Sequence, residues 1–241
     1  MDEIRLQKFF TDSGVLSRRA AEDEIRAGHV LVNGVPATIG QKIDPARDTV
    51  SFRGRIIPYS PTAPRHYILL NKPRGFVTTL CDEKGRPTAA SLVADVGVRL
   101  YPVGRLDMDS DGLLLFTDDG ALTERLTHPR HEIAKHYTVT VKGAVEPAVI
   151  ERLNAPFLLD GYRTLPARVS VKGTENGNTL LAIELYEGRN RQIRKMCAEV
   201  GLRILRLSRT AIGSIRLGDL PPGKHRPLTP DEVAYLKGEK K

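Results

Sequence analysis

The chain has 241 residues, of which 40% are hydrophobic and 27% are charged, and its formal net charge is +8. This composition is typical of a globular protein with one or two domains, and it excludes a disordered or fibrous chain. No apolar run is long enough to cross a membrane, and the acidic opening residues argue against a secretory signal. The two cysteines are far apart, so we expect a reducing cytoplasm rather than a disulfide framework.

The positive charge is concentrated near the carboxyl end. Residues 1–60 hold nine Lys/Arg and eight acids, residues 61–186 hold fifteen of each, and residues 187–241 hold thirteen Lys/Arg and six acids. A charge that served solubility alone would be spread more evenly. The distribution therefore favours an anionic partner, above all nucleic acid.

Residues 1–60 predict a small module of two helices followed by a sheet. Leu6, Phe9 and Phe10 have helical spacing, and Ser17 is suited to cap a second helix. Beyond that helix, Asn33-Gly34 is a strong hairpin signal between two short apolar segments. A second strand–turn–strand pattern follows, so the sheet is expected to contain two hairpins.

A proline-rich stretch separates this module from the rest of the chain. Pro58, Pro61 and Pro64 alternate with small or polar residues. Because proline restricts φ and removes a backbone donor, the stretch predicts an extended linker over 61–66. The domains are accordingly expected at 1–60 and 67–241.

The larger region mixes strands and helices. Short apolar or β-branched runs such as HYILL, YTVTV and TLLAIELY predict strands. A helix is expected to begin at Asp118 and stop at Pro129, and EPAVIERL predicts another. In RNRQIRKMCAEVG, apolar residues recur at helical spacing from Ile193 to Val200. Strands without regular crossover helices indicate an α+β domain with a mostly antiparallel sheet.

The acidic stretch GRLDMDSDGLLLFTDDG, residues 104–120, permits three interpretations. In the first, its acids and a glycine occupy positions of a calcium EF-hand loop, at Asp107, Asp109, Asp111, Gly112 and Asp118. A short Asp at the last position, a Pro and a Gly where a helix should enter, and a strand-like Leu115 all weigh against calcium.

The other two interpretations are a solvated turn and a catalytic carboxylate. A turn beside a buried strand is favoured for Asp109 and Asp111. Asp107 follows Arg105 and Leu106 at the end of an apolar approach, which suits a partly buried carboxylate. Such a group can act as a nucleophile, and an arginine partner would keep it ionised. Spacing alone does not choose among the five acids.

The stretch KFFTDSGVLSRRAAEDEIRAGHVLVNG resembles the αL (S4-like) RNA-binding module first seen in a small-subunit ribosomal protein. In that family, basic residues of the two helices and of the following turn face RNA phosphates. The resemblance implies this role for Arg5, Lys8, Arg18, Arg19, Arg26 and the stretch 29–33. The residues alone leave a solvated helix turn as the alternative for Arg18 and Arg19.

The larger region resembles the bacterial ribosomal RNA pseudouridine synthases that carry an N-terminal αL module. VGRLDMDSDGLLLFTDDG looks like their signature, and LLNKPRGFVTT, KHYTVTVKG and EGRNRQIRKM agree in order. The resemblance covers nearly the whole chain. Asp118 stands where the family often has Asn, beyond the catalytic position.

The resemblance implies an isomerase that converts a uridine of ribosomal RNA to pseudouridine after flipping the nucleotide out of its helix. Large-subunit RNA is slightly preferred over small-subunit RNA. No cofactor is expected, since the sequence has no phosphate-binding glycine loop, dinucleotide fingerprint or His/Cys metal set. We expect a structured ribosomal RNA stem-loop as partner, no membrane, no metal and a monomer.

The resemblance also assigns roles to residues of the site. It makes Asp107, in the GRLD motif, the nucleophile, and Arg194 its basic partner. Arg105 matches an arginine that fills the space left by the flipped base, and Tyr137 matches a tyrosine that stacks on the uracil. From the residues alone, a salt bridge is the alternative for Arg105 and an ordinary core edge for Tyr137.

Further candidates surround these residues. Leu205 and Leu207 are expected to form the apolar wall of a uracil pocket or ordinary core, and Lys72 to touch RNA or cap a strand end. A phosphate-facing patch, or a solvated surface, is expected from Arg189, Arg191 and Lys195. The rival hypothesis is a non-catalytic RNA-binding or ribosome-assembly factor, which would not require Asp107, Tyr137 and Arg194 together.

Overall fold

The computed structural model describes residues 3–59, 64–127 and 133–239. The chain divides into two compact units, one formed by Met1–Arg65 with Asp118–Gly120 and the other by His66–Thr117 with Ala121–Lys241. The first half of the predicted linker, residues 61–63, lies outside the described residues. None of the described helices combines the length and the apolar character that a membrane crossing requires.

The N-terminal unit contains two helices and small sheets. Its elements are β1 (Ile4–Arg5), α1 (Leu6–Asp12), α2 (Arg18–Arg26), β2 (Val30–Val32), β3 (Val35–Pro36), β4 (Lys42–Ile43), β5 (Val50–Phe52) and β6 (Arg55–Ile56). Strand β1 pairs with β4, and the other strands form an antiparallel sheet in the order β3-β2-β5-β6.

Local sequence explains these elements. The Ser17 side chain accepts a hydrogen bond from the Ala20 amide at 3.1 Å and so caps α2 as predicted. Asn33 and Gly34, both with positive φ, form the turn between β2 and β3. Phe9 and Phe10 of α1 pack edge to face, with ring centroids 5.8 Å apart, in a core shared with α2 and the sheet. Burying each such ring contributes about 1.5–3 kcal/mol.

The C-terminal unit is larger and has one main sheet. Its first elements are β7 (Tyr67–Lys72), a 3₁₀ helix (Ala89–Val96), β8 (Tyr101–Val103), β9 (Asp111–Thr117), α3 (Gly120–Thr127), β10 (Lys135–Val141) and α4 (Pro147–Asn154). The remaining elements are β11 (Leu158–Leu159), β12 (Tyr162–Arg163), β13 (Arg168–Glu175), β14 (Asn178–Leu185), α5 (Gln192–Glu199), β15 (Ile204–Ile212), β16 (Ile215–Arg216), β17 (His225–Pro227) and α6 (Pro230–Lys237).

Among the described residues, nine strands form the main sheet. Its central order is β13-β14-β10-β15-β9-β7-β17, with β8 beside β9 and β16 beside β15. The β9–β15 pair is parallel, and the other pairs are antiparallel. The α+β class with a mostly antiparallel sheet is therefore confirmed.

Strand β9 explains the apolar run inside the acidic stretch. All seven of its residues are buried. Leu113 and Leu115 belong to one apolar cluster, whereas Leu114 and Phe116 belong to another. Because strand side chains alternate between faces, a strand covered on both faces needs a continuous apolar run. The loop that joins β8 to this buried strand consists of residues 104–110.

Helix positions also follow the sequence, with two additions. Ile193, Met196 and Cys197 of α5 are buried, as predicted. The 3₁₀ helix and α6 were not predicted; α6 begins with a capping box in which Thr229 and Glu232 bond each other's backbone amides. The predicted end of α3 at Pro129 lies outside the described residues.

Candidate active site

The loop 104–110 carries Asp107 and is held by hydrogen bonds from Leu106 to Ser110. The Thr78 hydroxyl donates to the Leu106 carbonyl at 2.7 Å and accepts from the Leu106 amide at 3.3 Å. The Gly75 amide donates to the Met108 carbonyl at 2.7 Å. A backbone with so many partners keeps the Asp107 carboxylate, which is 31% exposed, in one position.

Lys72, at the end of β7, also holds this loop through hydrogen bonds. Its side chain is 0% exposed, and its ammonium donates to the carbonyls of Pro73 at 3.1 Å, Asp107 at 3.0 Å and Ser110 at 2.8 Å. Burial lowers the pKa of Lys72 to about 8 against the opposing charges of Asp111, Asp107 and Asp109. The prediction that Lys72 touches RNA is wrong, because the ammonium is enclosed and its three donors are used internally.

Two arginines of the α5 region approach the Asp107 carboxylate. Arg191 Nη1 lies 3.4 Å from Asp107 Oδ2, and Arg194 Nε lies 3.8 Å from the same oxygen. Arg194 is the deeper of the two, with 17% of its side chain exposed, and its Nη2 donates to the Asp109 carbonyl and the Ser110 hydroxyl at 3.0 Å each. The structure therefore brings the predicted partner to Asp107 and adds Arg191 nearer to it.

Asp109 lies in a turn with its side chain 40% exposed, as predicted, but it also faces two arginines. Its carboxylate is 3.0 Å from Arg194 Nη2 and 3.4 Å from Arg191 Nη2. Burial alone would raise the pKa of Asp109, but the hydrogen bond from Arg191 and the charges of Arg194 and Arg191 outweigh it, so the pKa lies below its ordinary value. Asp109 is thus a second anion in the arginine cluster.

Asp111, in contrast, is not solvated. It is buried at the start of β9 and pairs with Arg206, whose Nε lies 3.1 Å from its Oδ2. Because Asp111 and the residues after it form a strand, the calcium-loop interpretation is wrong: an EF-hand needs a loop there. In the described part of the chain, no three His, Cys, Asp or Glu side chains are grouped as metal ligands would be.

A buried polar pair, Glu187 and Gln192, lies where α5 begins. The Gln192 amide donates to Glu187 Oε1 at 2.9 Å, and the Leu165 backbone amide donates to the same oxygen at 3.0 Å. Arg191, just before α5, has a φ of 51°, which is a strained conformation for a residue with a side chain. Sequence reasoning missed Glu187 and Gln192, whose hydrogen bonds hold the start of α5, the helix that carries Arg194.

A cleft of about 170 Å³ opens beside Asp107. Its apolar wall includes Tyr137, Leu207 and Ile212. Arg105 is exposed at the cleft and makes no ion pair with any described residue, so the salt-bridge alternative for it is not observed. Tyr137 lies on β10 and packs against two apolar clusters, so it is both a cleft residue and a core edge.

The predicted leucine wall is half wrong. Leu207 is buried and lines the cleft, whereas Leu205 is 37% exposed and does not line it. The register between β10 and β15 shifts between Thr140 and Val141, which pair with Arg206 and Ile204. Leu205 is the extra residue of this irregularity and is left without a partner on β10.

The other basic candidates near the site are placed differently from one another. Arg189 lines the cleft with its guanidinium carbon 3.5 Å from the centre of the Tyr162 ring. Lys195 points to Asp160 in the turn between β11 and β12, and it does not line the cleft. Of the predicted patch, Arg189 and Arg191 therefore lie at the cleft.

In the N-terminal unit, the predicted cations are exposed. Lys8 pairs with Asp12, and Arg26 pairs with Asp23 at 2.8 Å. Arg18 and Arg19 occupy the first turn of α2 and form no ion pair with any described residue. Arg5 is exposed as well.

Two cleft residues were not predicted. Lys135 begins β10, two residues before Tyr137, so strand alternation puts it on the same face. The stretch KHYTV shows that spacing. Arg209 lies in β15 opposite Tyr137. Its place depends on which strands pair, and no local pattern indicates this.

Comparisons with known proteins identify the family of the chain. The RNA pseudouridylate synthase family model matches residues 66–199, and the S4 domain model matches residues 4–49. An uncharacterized RNA pseudouridine synthase of Aquifex aeolicus is 40% identical over 238 residues, which cover 98% of this chain and 94% of that protein. The chain belongs to the RNA pseudouridylate synthase family.

It is therefore an enzyme that isomerises uridine in RNA to pseudouridine, joined to an S4 domain. A crystal structure of a pseudouridylate synthase matches with a TM-score of 0.68 and 32% identity, covering 97% of this chain and 99% of that one. Two further relatives are named ribosomal large subunit pseudouridine synthase B. The Bacillus subtilis protein is 36% identical over 97% of this chain and 95% of its own length, and the Pseudomonas aeruginosa protein is 38% identical over 98% and 62%. The non-catalytic alternative is not favoured for a pseudouridine synthase.

Proposed function

We propose that this pseudouridine synthase modifies one uridine in a stem-loop of large-subunit ribosomal RNA, with Asp107 as the nucleophile. The names of two relatives support the large-subunit substrate. The observation that carries the catalytic assignment is the position of Asp107, at a cleft, on a loop held by backbone contacts, with Arg191 and Arg194 within 3.8 Å of its carboxylate.

The proposed chemistry uses the fixed charge of Asp107. When the bond between the ribose and uracil N1 breaks, positive charge develops on the ribose and negative charge on the uracil. A carboxylate at this position stabilises or attacks the electron-poor centre. The guanidinium groups of Arg191 and Arg194 set positive charge beside this carboxylate.

Two other cleft residues complete the proposed site. Tyr137 presents its ring in the cleft, where it can stack on the uracil. Arg105 is exposed at the same cleft and is available to occupy the position that the flipped nucleotide leaves in the RNA. Such contacts offset the few kcal/mol that unstacking costs.

We propose that RNA is held by two sets of cations and that the domains divide at the sequence boundaries, with residues 1–60 binding and residues 67–241 catalytic. In the first domain, Arg18 and Arg19 are the main proposed phosphate contacts, because no described acid pairs with them. Further contacts are proposed for Arg5, Lys8 and Arg26. At the cleft, Arg189 and Arg191 form the second set.

We also propose that the protein is a monomer, since one chain contains every named residue. A ribosomal RNA substrate implies that it acts in the cytoplasm.

The test is to map pseudouridines in ribosomal RNA from cells that lack the gene and carry either the wild type or Asp107→Asn. We expect one large-subunit pseudouridine to disappear in the deletion strain, to return with the wild type, and to stay absent with Asp107→Asn. Asn is the same size as Asp but is neutral, so it removes the nucleophile and leaves the loop filled.

Asp109→Asn is the matched control, since it removes a neighbouring charge from the same arginine cluster. We expect Asp109→Asn to retain measurable turnover while Asp107→Asn has none and still binds RNA. Substantial turnover by Asp107→Asn, purified from the deletion strain, would refute the catalytic assignment, and a lost pseudouridine in small-subunit RNA would refute the proposed substrate.

A further inference from the structure

Two cations line the active-site cleft without facing a carboxylate. Lys135 and Arg209 both line it, yet neither forms an ion pair with an acidic side chain among the described residues. This separates them from Arg191 and Arg194, whose charges are balanced by Asp107 and Asp109. The cleft therefore contains positive charge that the protein itself leaves uncompensated.

Arg209 is the more deeply placed of the two. It is 5% exposed, and its Nε donates to the Leu113 carbonyl of β9 at 2.7 Å. Its Nη2 is also buried and has no acceptor among the described residues. Buried donors on charged groups are almost always paired, because water is no longer there to satisfy them. An unpaired N–H at a cleft indicates an acceptor that arrives with the substrate.

The backbone of Arg209 is held close to strand β9. Arg209 pairs with Gly112 of β9, and a Cβ built on Gly112 would lie 2.2 Å from the Arg209 carbonyl oxygen. The strands approach so closely only because residue 112 has no side chain. This contact fixes the backbone of Arg209, and the Nε bond to Leu113 restricts its guanidinium before any substrate binds. Electrostatic catalysis requires donors that are positioned in advance in this way.

Lys135 adds a second charge to the same place. Its burial, followed by the charge of Arg209, lowers the pKa of Lys135 to about 8. Two neighbouring cations in a poorly solvated cleft repel each other, and an incoming anion would relieve that repulsion. Lys135 also shares its strand face with Tyr137, the residue proposed to stack on the uracil.

The depth of Arg209 decides which part of the substrate it meets. The exposed cations Arg105, Arg189 and Arg191 are the ones that bulky, hydrated backbone phosphates can reach. A flat base inserted between the apolar residues of the cleft can extend to an enclosed donor. An enclosed donor in this cleft therefore suits the uracil ring better than a backbone phosphate.

We propose that Arg209, assisted by Lys135, donates to a uracil carbonyl oxygen and stabilises the negative charge that develops on the base as its bond to ribose breaks. Arg209 is then a catalytic residue in addition to Asp107. The inference rests on the proposed function of this cleft. Arg209 stabilises the negative charge on the base, as Asp107 stabilises the positive charge on the sugar.

The electron count of that step is simple. The N1–C1′ bond breaks and its electron pair stays on the uracil, where it spreads from N1 to the O2 and O4 oxygens. Asp107 compensates the electron deficiency at C1′. The ring then turns, a C5–C1′ bond forms from ring electrons, the C5 proton is lost and a proton is taken up at N1. Nothing is consumed, and only the anionic stage needs Arg209.

The test measures single-turnover rates on synthetic stem-loops that contain the mapped uridine. Four probes are used: the normal RNA, RNA with 2-thiouridine or 4-thiouridine at the target, and RNA with methylphosphonates flanking the target. Sulfur accepts hydrogen bonds weakly, so a thio substitution weakens the contact at one carbonyl. The enzymes are the wild type, Arg209→Gln, Lys135→Gln and the control Arg203→Gln, which removes an exposed charge outside the cleft.

We expect Arg209→Gln to turn over the normal RNA about 100-fold more slowly, the loss typical of removing one preorganised donor. One of the two thio substrates should slow the wild type at least about tenfold and slow Arg209→Gln much less, because the contact is already missing. Lys135→Gln should lose about tenfold or more, and Arg203→Gln should match the wild type within about twofold.

Three results would overturn the proposal. They are a normal rate for Arg209→Gln, thio penalties that are equal in the wild type and in Arg209→Gln, and disappearance of the methylphosphonate penalty in Arg209→Gln, which would mean a phosphate contact. If thermal melting shows that Arg209→Gln is unfolded, the rate of Lys135→Gln and the thio penalties of the wild type still test the proposal. An active Asp107→Asn would instead refute the proposed function, so the two failures are distinguishable.

Discussion

The charged residues of the two units are used in opposite ways. In the N-terminal unit, cations such as Arg18 and Arg19 lie on the surface, and the pair of Arg26 with Asp23 is open to water. In the larger unit, Lys72 under the Asp107 loop and Arg209 at the cleft are enclosed. Water and salt screen the first set, so it contributes affinity that varies with ionic strength. The second set is hardly screened, so its geometry determines chemistry.

The largest expected effect is on the buried region and comes from a single methyl group. Gly112→Ala places a Cβ 2.2 Å from the Arg209 carbonyl oxygen, at a φ of 104°. Either strand must move, so we expect destabilisation of about 4 kcal/mol or more and no activity. Gly177→Ala is the control, since it also has a positive φ but nothing within 4 Å. Thermal melting should show a loss of only about 1 kcal/mol there, and equal losses would contradict the close-approach argument.

Removing the enclosed ammonium should have the next largest effect. Lys72→Met fills the same space but leaves the carbonyls of Pro73, Asp107 and Ser110 without their donor. We expect a loss of about 2–4 kcal/mol in the free energy of unfolding, together with slower turnover because the Asp107 loop loosens. Denaturant unfolding of this variant and of Lys84→Met, an exposed lysine, measures the difference. Similar midpoints for both would show that the three hydrogen bonds contribute little.

The pH dependence of kcat/KM tests whether the charge of Lys135 in the cleft is used. The pKa of Lys135 is lowered to about 8, so its charge is present below that pH and is lost above it. If the charge is used, kcat/KM should be flat below pH 8 and fall about tenfold per pH unit above it. The ionisable groups that share the cleft are Arg105, Asp107, Tyr137, Arg189, Arg191, Arg194 and Arg209.

Lys72 has a pKa of about 8 as well, so a variant must separate the two lysines. Lys135→Arg keeps a positive charge at all these pH values. We expect the fall above pH 8 to disappear in Lys135→Arg if Lys135 causes it, and to persist if Lys72 does. A profile without any fall would exclude a requirement for either charge.

The smallest expected effect concerns the exposed charges. Arg18→Gln with Arg19→Gln should weaken RNA binding at low salt and reduce the slope of log affinity against log salt by about 0.7–0.9 for each phosphate that is no longer neutralised. Turnover at saturating RNA should not change, because these residues lie in the S4 domain. Arg26→Gln is the comparison, since Asp23 already holds its guanidinium. An unchanged slope in the double variant would contradict phosphate binding by this pair.

Much of the local structure was predictable because its causes are local. Ser17 caps α2 through a hydrogen bond three residues away, and Asn33-Gly34 supplies the positive φ values of its turn. The burial of Ile193, Met196 and Cys197 follows from helical spacing. The sequence also indicated Asp107, Tyr137 and Arg194 together, but only through the resemblance of their motifs, since spacing did not separate Asp107 from the other acids.

The wrong predictions concern places where distant segments meet. An RNA contact was one of the two expectations for Lys72, and it is wrong because the ammonium is enclosed by the Asp107 loop, which NKPRG does not reveal. Leu205 was expected in the cleft beside Leu207, but an irregularity in pairing moves it out. Asp111 was expected in a solvated turn, whereas it is buried at the start of β9 and pairs with Arg206. Each of these predictions depended on a partner far away in the chain or on strand register.

The order of the amino acids was enough to indicate the elements and the family, because caps, turns, periodicity and motifs act over a few residues. Which charges are enclosed, and what they face, became apparent only in three dimensions. Lys72 meets Asp107 and Ser110, and Arg209 meets Leu113, through strand pairings that are selected by the burial of whole apolar faces. The energy of a charge depends on its spatial surroundings, so its role follows from those pairings and not from its neighbours in the chain.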